Sequence, residues 1–316
     1  MNIVILDLNT LTIGDLDFSS IEKLGKTTYY DVLPQDKIVE NCKDADVLLI
    51  NKAQMTRDII QKLPKLKYIG LFATGYNNVD LKAASEHNIA VANVPGYSTD
   101  AVAQHVFAFI LMLSTNIHLY NESVHKGEWI YSSSFSYFHF PICELAGKTI
   151  GIVGYGNIAK KVAEIASAFG MKVMIHSHRQ YENCPYEQVN KKDLFRFSDY
   201  VSLNCPLNDE TINFVNKDTL RQMKPTAFLI NTSRGGVVDS SALADALNHD
   251  LISGAGIDVL PVEPMAKDDP LFTAKNCIIT PHIGWAALES RKRCVELVAQ
   301  NLSCWINGKA VNIVNQ

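Results

Sequence analysis

The sequence has 316 residues, of which 47 % are hydrophobic and 20 % are charged, and its formal net charge at pH 7 is −4. The length suggests about two domains, and the composition is typical of a folded globular protein rather than a disordered chain. Affinity for nucleic acids and for anionic membrane surfaces comes mainly from clustered lysine and arginine, so the charge also argues against both kinds of partner. The seven cysteines are scattered without a CxxC pair, and the N-terminus begins as a strand rather than as a signal peptide, which favours a reduced, cytoplasmic protein.

Short β-branched runs alternate with amphipathic stretches, as expected for a parallel sheet covered by helices. The first third of the chain contains five predicted strands, at residues 3–8, 27–32, 47–50, 68–73 and 89–93. The helical stretches between them lie at 37–43, 56–63 and 81–86. A long helix is then predicted from residue 99 to about 114, and its apolar run is shorter than the roughly 20 residues that cross a bilayer.

An irregular, aromatic-rich segment follows at 129–141, and the alternation then restarts. Six further strands are predicted, at residues 149–153, 172–175, 200–203, 227–231, 254–258 and 277–280. A last helix is predicted at 288–306, after the second set of strands is complete. The sequence therefore predicts an α/β protein with two doubly wound parallel-sheet domains and a ligand site in the cleft between them.

A glycine-rich turn connects the strand at 149–153 to a helix that runs to about residue 169. Gly154 permits a tight turn, Gly156 lets the backbone approach a pyrophosphate, and Ala159 allows the helix to pack closely on the strand. The N–H groups at the start of the helix suit phosphate oxygens. The turn predicts a dinucleotide site formed by Gly154, Tyr155, Gly156, Asn157 and Ile158.

The strand at 172–175 ends without the acidic residue that normally binds the adenosine ribose hydroxyls. Ser177, His178 and Arg179 stand there, and the first acid is Glu182. Ser177 does not repel a 2′-phosphate, and His178 and Arg179 can pair with one. We therefore expect NADPH to be accepted at least as well as NADH, the alternative being that these residues are solvated and NAD is held by other contacts.

Three charged or titratable residues, Arg234, Glu263 and His282, follow the last three strands, at the edge where an open α/β sheet binds its ligands. An arginine can bind a carboxylate through two hydrogen bonds and polarise a neighbouring carbonyl. A histidine can give a proton to that carbonyl oxygen as hydride reaches the carbon, and a glutamate beside it favours the imidazolium and fixes the ring. Each residue alone also fits a surface ion pair, a turn or a strand cap, but together they predict a site for 2-keto acid reduction.

These motifs resemble the D-isomer-specific 2-hydroxyacid dehydrogenase family, over nearly the whole chain and most clearly from Tyr68 onward. The resemblance implies that Arg234 binds the substrate, that His282 is the acid and base, and that Glu263 pairs with it. It also implies that backbone N–H groups of Thr74 and Gly75 hold the substrate carboxylate. For the coenzyme it implies an adenosine-contacting turn at Cys205 and Pro206, an Asp258 that orients the nicotinamide carboxamide, and further contacts from Thr232, Ser233, Arg234, His282 and Gly284.

The resemblance also divides the chain. It implies a discontinuous, flavodoxin-like substrate domain at residues 1–98 and 287–316, with a Rossmann NAD(P)-binding domain at 99–286 between its parts. Within the second domain, a dimerisation arm at about 116–146 embraces a second subunit, which predicts a homodimer. The alternative is an arm that folds on its own domain.

The substrate is predicted from Trp285, three residues after His282, and from the stretch at 93–105. Both resemble the glycerate dehydrogenase and hydroxypyruvate reductase branch, which implies reduction of hydroxypyruvate to D-glycerate and of glyoxylate to glycolate. Trp285 also fits a purely packing role at the domain hinge. Open alternatives are a related dehydrogenase of other specificity, a phosphite dehydrogenase, or a dinucleotide-sensing protein of the corepressor type. Glu263 argues against a formate dehydrogenase, because in that branch the resemblance implies a histidine paired with a glutamine instead of a glutamate.

Overall fold

The computed structural model describes residues 1–315 and divides into two compact units. Unit 1 comprises residues 1–98 together with those from 285 onward, and unit 2 comprises residues 99–284. Unit 2 is therefore an insertion into the chain of unit 1, and each unit contains a parallel sheet of its own.

The sheet of unit 1 has five parallel strands in the order β2-β1-β3-β4-β5. This is a flavodoxin-like, doubly wound order, which places helices on both faces of the sheet. Strand β3 is buried along its whole length, as its continuous run of Val, Leu and Ile predicts. The strands are β1 (Asn2–Ile5), β2 (Lys26–Tyr29), β3 (Val47–Ile50), β4 (Tyr68–Leu71) and β5 (Ala90–Ala92). The helices are α1 (Ser19–Glu22), α2 (Ile38–Cys42), α3 (Arg57–Ile60), α4 (Leu81–Glu86) and, from the end of the chain, α11 (Leu288–Ile306).

The helix α11 follows unit 2 in sequence but packs in the core of unit 1. Val295, Val298 and Leu302 belong to the same buried cluster as Ile3 and Tyr68. Apolar residues on one face of α11 thus cover one face of the sheet, and burial of such side chains stabilises the unit by about 1.5–3 kcal/mol each.

Unit 2 contains a seven-stranded parallel sheet in the order β12-β11-β10-β9-β6-β7-β8. Counted from β6, this is the Rossmann order 3-2-1-4-5-6 with a seventh strand added at the edge, and the order reverses between β6 and β9. The strands are β6 (Thr149–Val153), β7 (Lys172–His176), β8 (Glu187–Gln188), β9 (Tyr200–Leu203), β10 (Phe228–Asn231), β11 (Gly254–Ile257) and β12 (Cys277–Ile279). The helices are α5 (Thr99–Thr115), α6 (Ile117–His125), α7 (Asn157–Ala168), α8 (Lys191–Phe197), α9 (Lys217–Leu220) and α10 (Ser240–Asn248).

The predicted fold class of two parallel-sheet α/β domains is confirmed. The differences lie at strand ends and in short elements. The first strand was predicted to reach residue 8 but ends at Ile5, because Leu6 is buried beyond the last ladder position and apolar burial does not require strand pairing. The two-residue strand β8 was not predicted, since its Glu and Gln carry no alternating apolar signal.

Between α6 and β6, residues 126–148 contain no helix or strand. This segment includes the aromatic-rich stretch at 129–141, where large side chains are exposed. Among residues 1–315 no single helix is long and apolar enough to cross a membrane. Only α5 and α6 taken together, with a bend of 58° between them, meet the length and composition of a span, and α5 contributes its apolar residues to the core of unit 2.

Candidate active site

The strands of unit 2 end at one level of the sheet. Parallel pairing sets Val153 opposite both His176 and Leu203, and Asn231 opposite Ile257. The residues after these strand ends therefore share the edge where open parallel sheets bind their ligands. Those that follow directly are Gly154, Ser177, Asn204, Thr232, Asp258 and Thr280.

The glycine turn after β6 has a geometry that requires glycine at one position and leaves space at another. Gly154 has a φ of +90°, and a Cβ there would lie 2.7 Å from the carbonyl oxygen of Asn204. At Gly156 a Cβ would meet no atom within 4 Å, so this position leaves open space in front of α7. Gly156 is the N-cap of α7, and no side chain of residues 1–315 caps the helix there. The first N–H groups of α7 and its positive dipole end thus suit a phosphate.

Two buried polar atoms at the same edge have no hydrogen-bond partner among residues 1–315: Oδ1 of Asn204 and Oγ1 of Thr232. Buried polar groups are normally paired, so both atoms fit hydrogen bonds to a bound molecule. Together with the turn at Gly154, they fit a dinucleotide lying along the strand ends. Thr232 was predicted as a coenzyme contact, whereas Asn204 was not.

Two predicted coenzyme residues bury their side chains in the protein. The ring of Tyr155 packs edge-on against Tyr181, with ring centres 5.0 Å apart. Burial, and to a smaller extent a hydrogen bond with Cys184, raise the pKa of Tyr155 to about 12. Cys205 joins the core, where burial raises the pKa of its thiol to about 11. A coenzyme would thus meet the backbone of these two residues. The other predicted contacts on the two turns are exposed or half-buried, namely Asn157, Ile158 and Pro206.

The end of β7 carries the basic group predicted from the sequence. The backbone N–H of Arg179 donates to Oγ of Ser177 at 3.3 Å, and its Nε donates to Nε2 of His178 at 3.1 Å. His178 and Arg179 are exposed, and Ser177 is half-buried. These contacts gather a hydroxyl, an imidazole and a guanidinium at one strand end.

Arg234 is held in an extended conformation by a turn that Asn231 organises. Oδ1 of Asn231 accepts hydrogen bonds from the N–H and the hydroxyl of Ser233, at 3.0 and 2.9 Å. Nδ2 of Asn231 donates to the carbonyl of Arg234 at 3.0 Å, and Asn231 is itself buried. A side chain that replaces backbone partners in this way fixes a tight turn. No role was predicted for Asn231, although an Asn-x-Ser pattern at the end of a strand is a turn signal.

The structure brings Glu263 and His282 together. Oε2 of Glu263 lies 2.7 Å from Nδ1 of His282, and Oε1 of Glu263 accepts the N–H of Leu260 at 3.0 Å. The two side chains are 35 % and 24 % exposed, so solvent reaches both. With Nδ1–H donating to the carboxylate, Nε2 is the ring nitrogen that exchanges a proton with a substrate.

The backbone of His282 adopts a left-handed conformation, with φ of +55°, which is uncommon for a residue with a side chain. Its N–H donates to the carbonyl of Asp258 at 2.8 Å. The carboxylate of Asp258 accepts the N–H groups of Ile283 and Gly284, at 2.8 and 2.9 Å. Asp258 therefore holds the turn that carries His282, and a Cβ at Gly284 would lie 2.9 Å from Oδ2 of this carboxylate. The predicted contacts of Asp258 and Gly284 with the coenzyme stay predictions.

Two further side chains, for which no role was predicted, complete this buried group. Thr280 donates its hydroxyl to Oδ1 of Asp258 at 2.6 Å, and Nε2 of His105, on α5, lies 2.9 Å from that hydroxyl. Burial favours a higher pKa for Asp258, but the hydrogen bonds from His105, Thr280 and the two backbone N–H groups outweigh it and leave the pKa below its usual range. Apart from the resemblance of the stretch at 93–105 to the family, no sequence signal links His105 to residues more than 150 positions later in the chain.

The remaining predicted residues, Thr74, Gly75 and Trp285, lie in unit 1. Thr74 and Gly75 follow β4 in a loop, where Thr74 is exposed and Gly75 is half-buried. Trp285 is half-buried and packs edge-on against Tyr97, with ring centres 6.4 Å apart. This contact supports the packing role considered for Trp285 and leaves its role toward a substrate a prediction.

Comparison with known proteins identifies the family. The profile described as "D-isomer specific 2-hydroxyacid dehydrogenase, NAD binding domain" matches residues 107–284. The chain belongs to this family. A hydroxypyruvate reductase of Blautia hydrogenotrophica is 40 % identical over the whole of both chains, and a glycerate dehydrogenase of Methylorubrum extorquens is 36 % identical over 99 % of this chain and 98 % of its own.

Solved structures agree with this assignment. An acyclic imino acid reductase in complex with NADPH and D-Arg matches with a TM-score of 0.88 and 32 % identity, over 99 % of this chain and 100 % of its own. The chain is thus an NAD-binding-domain oxidoreductase that interconverts 2-keto and 2-hydroxy acids, as the strand-end motifs predicted.

Proposed function

We propose that the protein reduces hydroxypyruvate to D-glycerate and, more slowly, glyoxylate to glycolate. The observation that carries the proposal is the Glu263–His282 pair at 2.7 Å, on the same sheet edge as the Arg234 turn. The names of the relatives from Blautia and Methylorubrum support the choice of substrate.

In this proposal each side chain has one task. The guanidinium of Arg234 binds the carboxylate of the keto acid and polarises its carbonyl. A nicotinamide coenzyme held at the Gly154 turn would supply the hydride that the carbonyl carbon accepts. Nε2 of His282 gives a proton to the carbonyl oxygen, and the Glu263 carboxylate stabilises the imidazolium and keeps the ring in place. In unit 1, the backbone N–H groups of Thr74 and Gly75 bind the substrate carboxylate.

The test follows the absorbance of the reduced coenzyme with hydroxypyruvate, glyoxylate, pyruvate, 4-methyl-2-oxopentanoate and phenylpyruvate, and phosphite is assayed with the oxidised coenzyme. We expect the largest kcat/KM for hydroxypyruvate. Arg234→Ala should lower it by at least about a thousand-fold, because the group that binds and polarises the substrate is lost. Turnover of only the branched or aromatic keto acids, or of phosphite, would contradict the choice of substrate. Near-normal turnover by Arg234→Ala would contradict the mechanism.

We propose that unit 2 binds the coenzyme and that NADPH is used at least as well as NADH. The hydroxyl, imidazole and guanidinium of Ser177, His178 and Arg179 support this, since they suit a 2′-phosphate. The NADPH complex of the imino acid reductase shows that a relative with this fold binds that coenzyme. Arg179→Ala should raise the KM for NADPH and leave that for NADH unchanged, whereas Ser177→Asp should disfavour NADPH. A strong NADH preference in the unmodified enzyme would refute the proposal.

We further propose a homodimer in which the arm at about 116–146 contacts a second copy. Exposed apolar side chains are concentrated on this arm, which is typical of an interaction surface. They include Trp129, Ile130, Tyr131, Phe135, Phe138 and Ile142. Sedimentation should give twice the chain mass, and a monomer at micromolar concentration would support an arm that folds on its own domain.

We also propose that the enzyme acts in the cytoplasm. All seven cysteines are free, which supports a reducing compartment. Fractionation of the source cells should recover the protein with cytoplasmic markers, and recovery with secreted proteins would refute this location.

A further inference from the structure

The side chain of Asn93 reaches from the end of β5 to the loop that follows β4. Its Nδ2 donates to the carbonyl of Thr74 at 2.7 Å, and Asn93 is only 8 % exposed. The hydroxyl of Thr74 donates to the carbonyl of Val94 at 2.9 Å, and the N–H of Val94 donates to the carbonyl of Ala73. The start of this loop is thus fastened to the end of the neighbouring strand through both side chain and backbone.

The hydrogen bond to Thr74 has a consequence for the next residue. The carbonyl of Thr74 and the N–H of Gly75 belong to one trans peptide group, which is planar, so they point in opposite directions. When Asn93 holds the carbonyl toward the protein, the N–H of Gly75 is directed away from β5. Among residues 1–315 no group accepts a hydrogen bond from this N–H, and Gly75 is half-buried.

Asn93 is in turn held by two other asparagines. Nδ2 of Asn301, on α11, donates to the carbonyl of Asn93 at 2.9 Å, and Asn301 is 3 % exposed. Oδ1 of Asn301 accepts Nδ2 of Asn312 at 2.9 Å, and the carbonyl of Asn312 accepts the N–H of Asn93 at 3.1 Å. The C-terminal segment and α11 therefore form a closed ring of hydrogen bonds with the backbone of Asn93, which holds in place the point from which its side chain reaches Thr74.

We propose that Asn93 is a positioning residue for the keto acid: by holding the Thr74 carbonyl, it aims the N–H of Gly75 at the substrate carboxylate. This inference rests on the proposed function, because it needs a substrate with a carboxylate. Asn93 itself touches no substrate in this arrangement. Its effect on binding is exerted through the peptide group that it orients.

The test compares Asn93→Asp with the unmodified enzyme. The aspartate has the same shape but replaces the amide donor with an oxygen that repels the Thr74 carbonyl, so the peptide group loses its fixed orientation. We expect the KM for hydroxypyruvate to rise about ten-fold or more, while the KM for NADPH stays within about two-fold of its original value. The inhibition constant of oxamate, an unreactive analogue of a 2-keto acid, should rise by the same factor as that KM.

Asn41→Asp is the matched control, since Asn41 also donates Nδ2 to a backbone carbonyl in unit 1, that of Lys37 at 2.9 Å, but on α2. It should leave all these constants unchanged. A second variant, Asn312→Ala, changes an exposed position and removes the hydrogen bond to Asn301, so it tests the same role if Asn93→Asp does not fold. It should raise the KM for hydroxypyruvate by about two- to four-fold. If the folded variants keep the KM for hydroxypyruvate and the inhibition constant of oxamate unchanged, the positioning role of Asn93 is refuted. An unmodified enzyme inactive with every 2-keto acid refutes the proposed function instead.

Discussion

The substitution Gly235→Ala adds one methyl group, which should push the turn that carries Arg234 away from the turn that carries Glu263. Gly235 begins a 3-10 turn directly after Arg234, and a Cβ there would lie closer than 3.0 Å to the carbonyl carbon and oxygen of Leu260 and to the nitrogen of Pro261. All three are backbone atoms, so no side-chain rotation relieves the overlap. Restoring ordinary contact requires the turns to move apart by more than about 1 Å, in a region packed too tightly to absorb the shift elsewhere.

The size of the effect follows from what the Leu260 turn supports. The N–H of Leu260 donates to Glu263, whose other oxygen holds His282, so a shift of Leu260 moves the proton donor relative to Arg234. A misplacement of about 1 Å costs on the order of a hundred-fold in rate. Overpacking of this kind also destabilises the fold by about 1–3 kcal/mol.

The assay measures kcat/KM for hydroxypyruvate and the thermal midpoint of Gly235→Ala beside those of Gly236→Ala. At Gly236 the nearest atom to a Cβ is Cδ2 of Leu207, at 3.0 Å, which is the end of a flexible side chain and can move away. We expect about a hundred-fold loss of kcat/KM and a lower midpoint for Gly235→Ala, and changes within a few-fold for Gly236→Ala. Unchanged activity and an unchanged midpoint in Gly235→Ala would contradict the claim that the Leu260 turn sets the distance between the proton donor and Arg234.

Three other outcomes are expected. Glu263→Gln keeps the shape but removes the charge beside His282, so kcat should fall by about ten- to a hundred-fold, and an unchanged kcat would contradict the pairing. The hydrogen bonds of Asp258 lower its pKa, so the stability it contributes is present above about pH 4 and is lost as the pH falls through the lowered pKa. In thermal melts, the gap between the unmodified protein and Asp258→Asn should therefore narrow below pH 4, and a constant gap would contradict this. Cys42 and Cys294 are buried, which raises the pKa of the first thiol to about 11 and of the second to about 12, so a disulfide reagent at pH 8 should modify them only after denaturation.

The sequence allowed the strand ends of unit 2 to be predicted as the site because turn residues, glycines and charged residues follow each apolar run in a fixed order. Glu263 and His282 were predicted as a pair, and the structure brings them to hydrogen-bond distance. The pattern was informative here since both residues follow strands that are adjacent in the sheet, β11 and β12. Neighbouring strand ends in a parallel sheet bring such residues together without further information.

The contacts that support the site could not be predicted in the same way. His105 lies on α5 and meets Thr280, and Asn93 meets Asn301 and Asn312, although long stretches of chain separate them. Polar residues in a buried network carry no periodicity, and their partners are set by how the elements pack. A single sequence shows such residues only as isolated polar positions in apolar surroundings.

The position of α11 after unit 2 in the chain sets an order for folding during synthesis. The core of unit 1 includes Val295, Val298 and Leu302, so β1 to β5 cannot complete that core until the ribosome has made residues well beyond 284. All of unit 2 is synthesised in the interval, and domains generally fold as units once their residues have emerged. The first 98 residues therefore wait, with one face of their sheet uncovered, while the inserted unit can already fold. A released fragment that ends at residue 284 should therefore contain a protease-resistant unit 2 and a sensitive N-terminal segment.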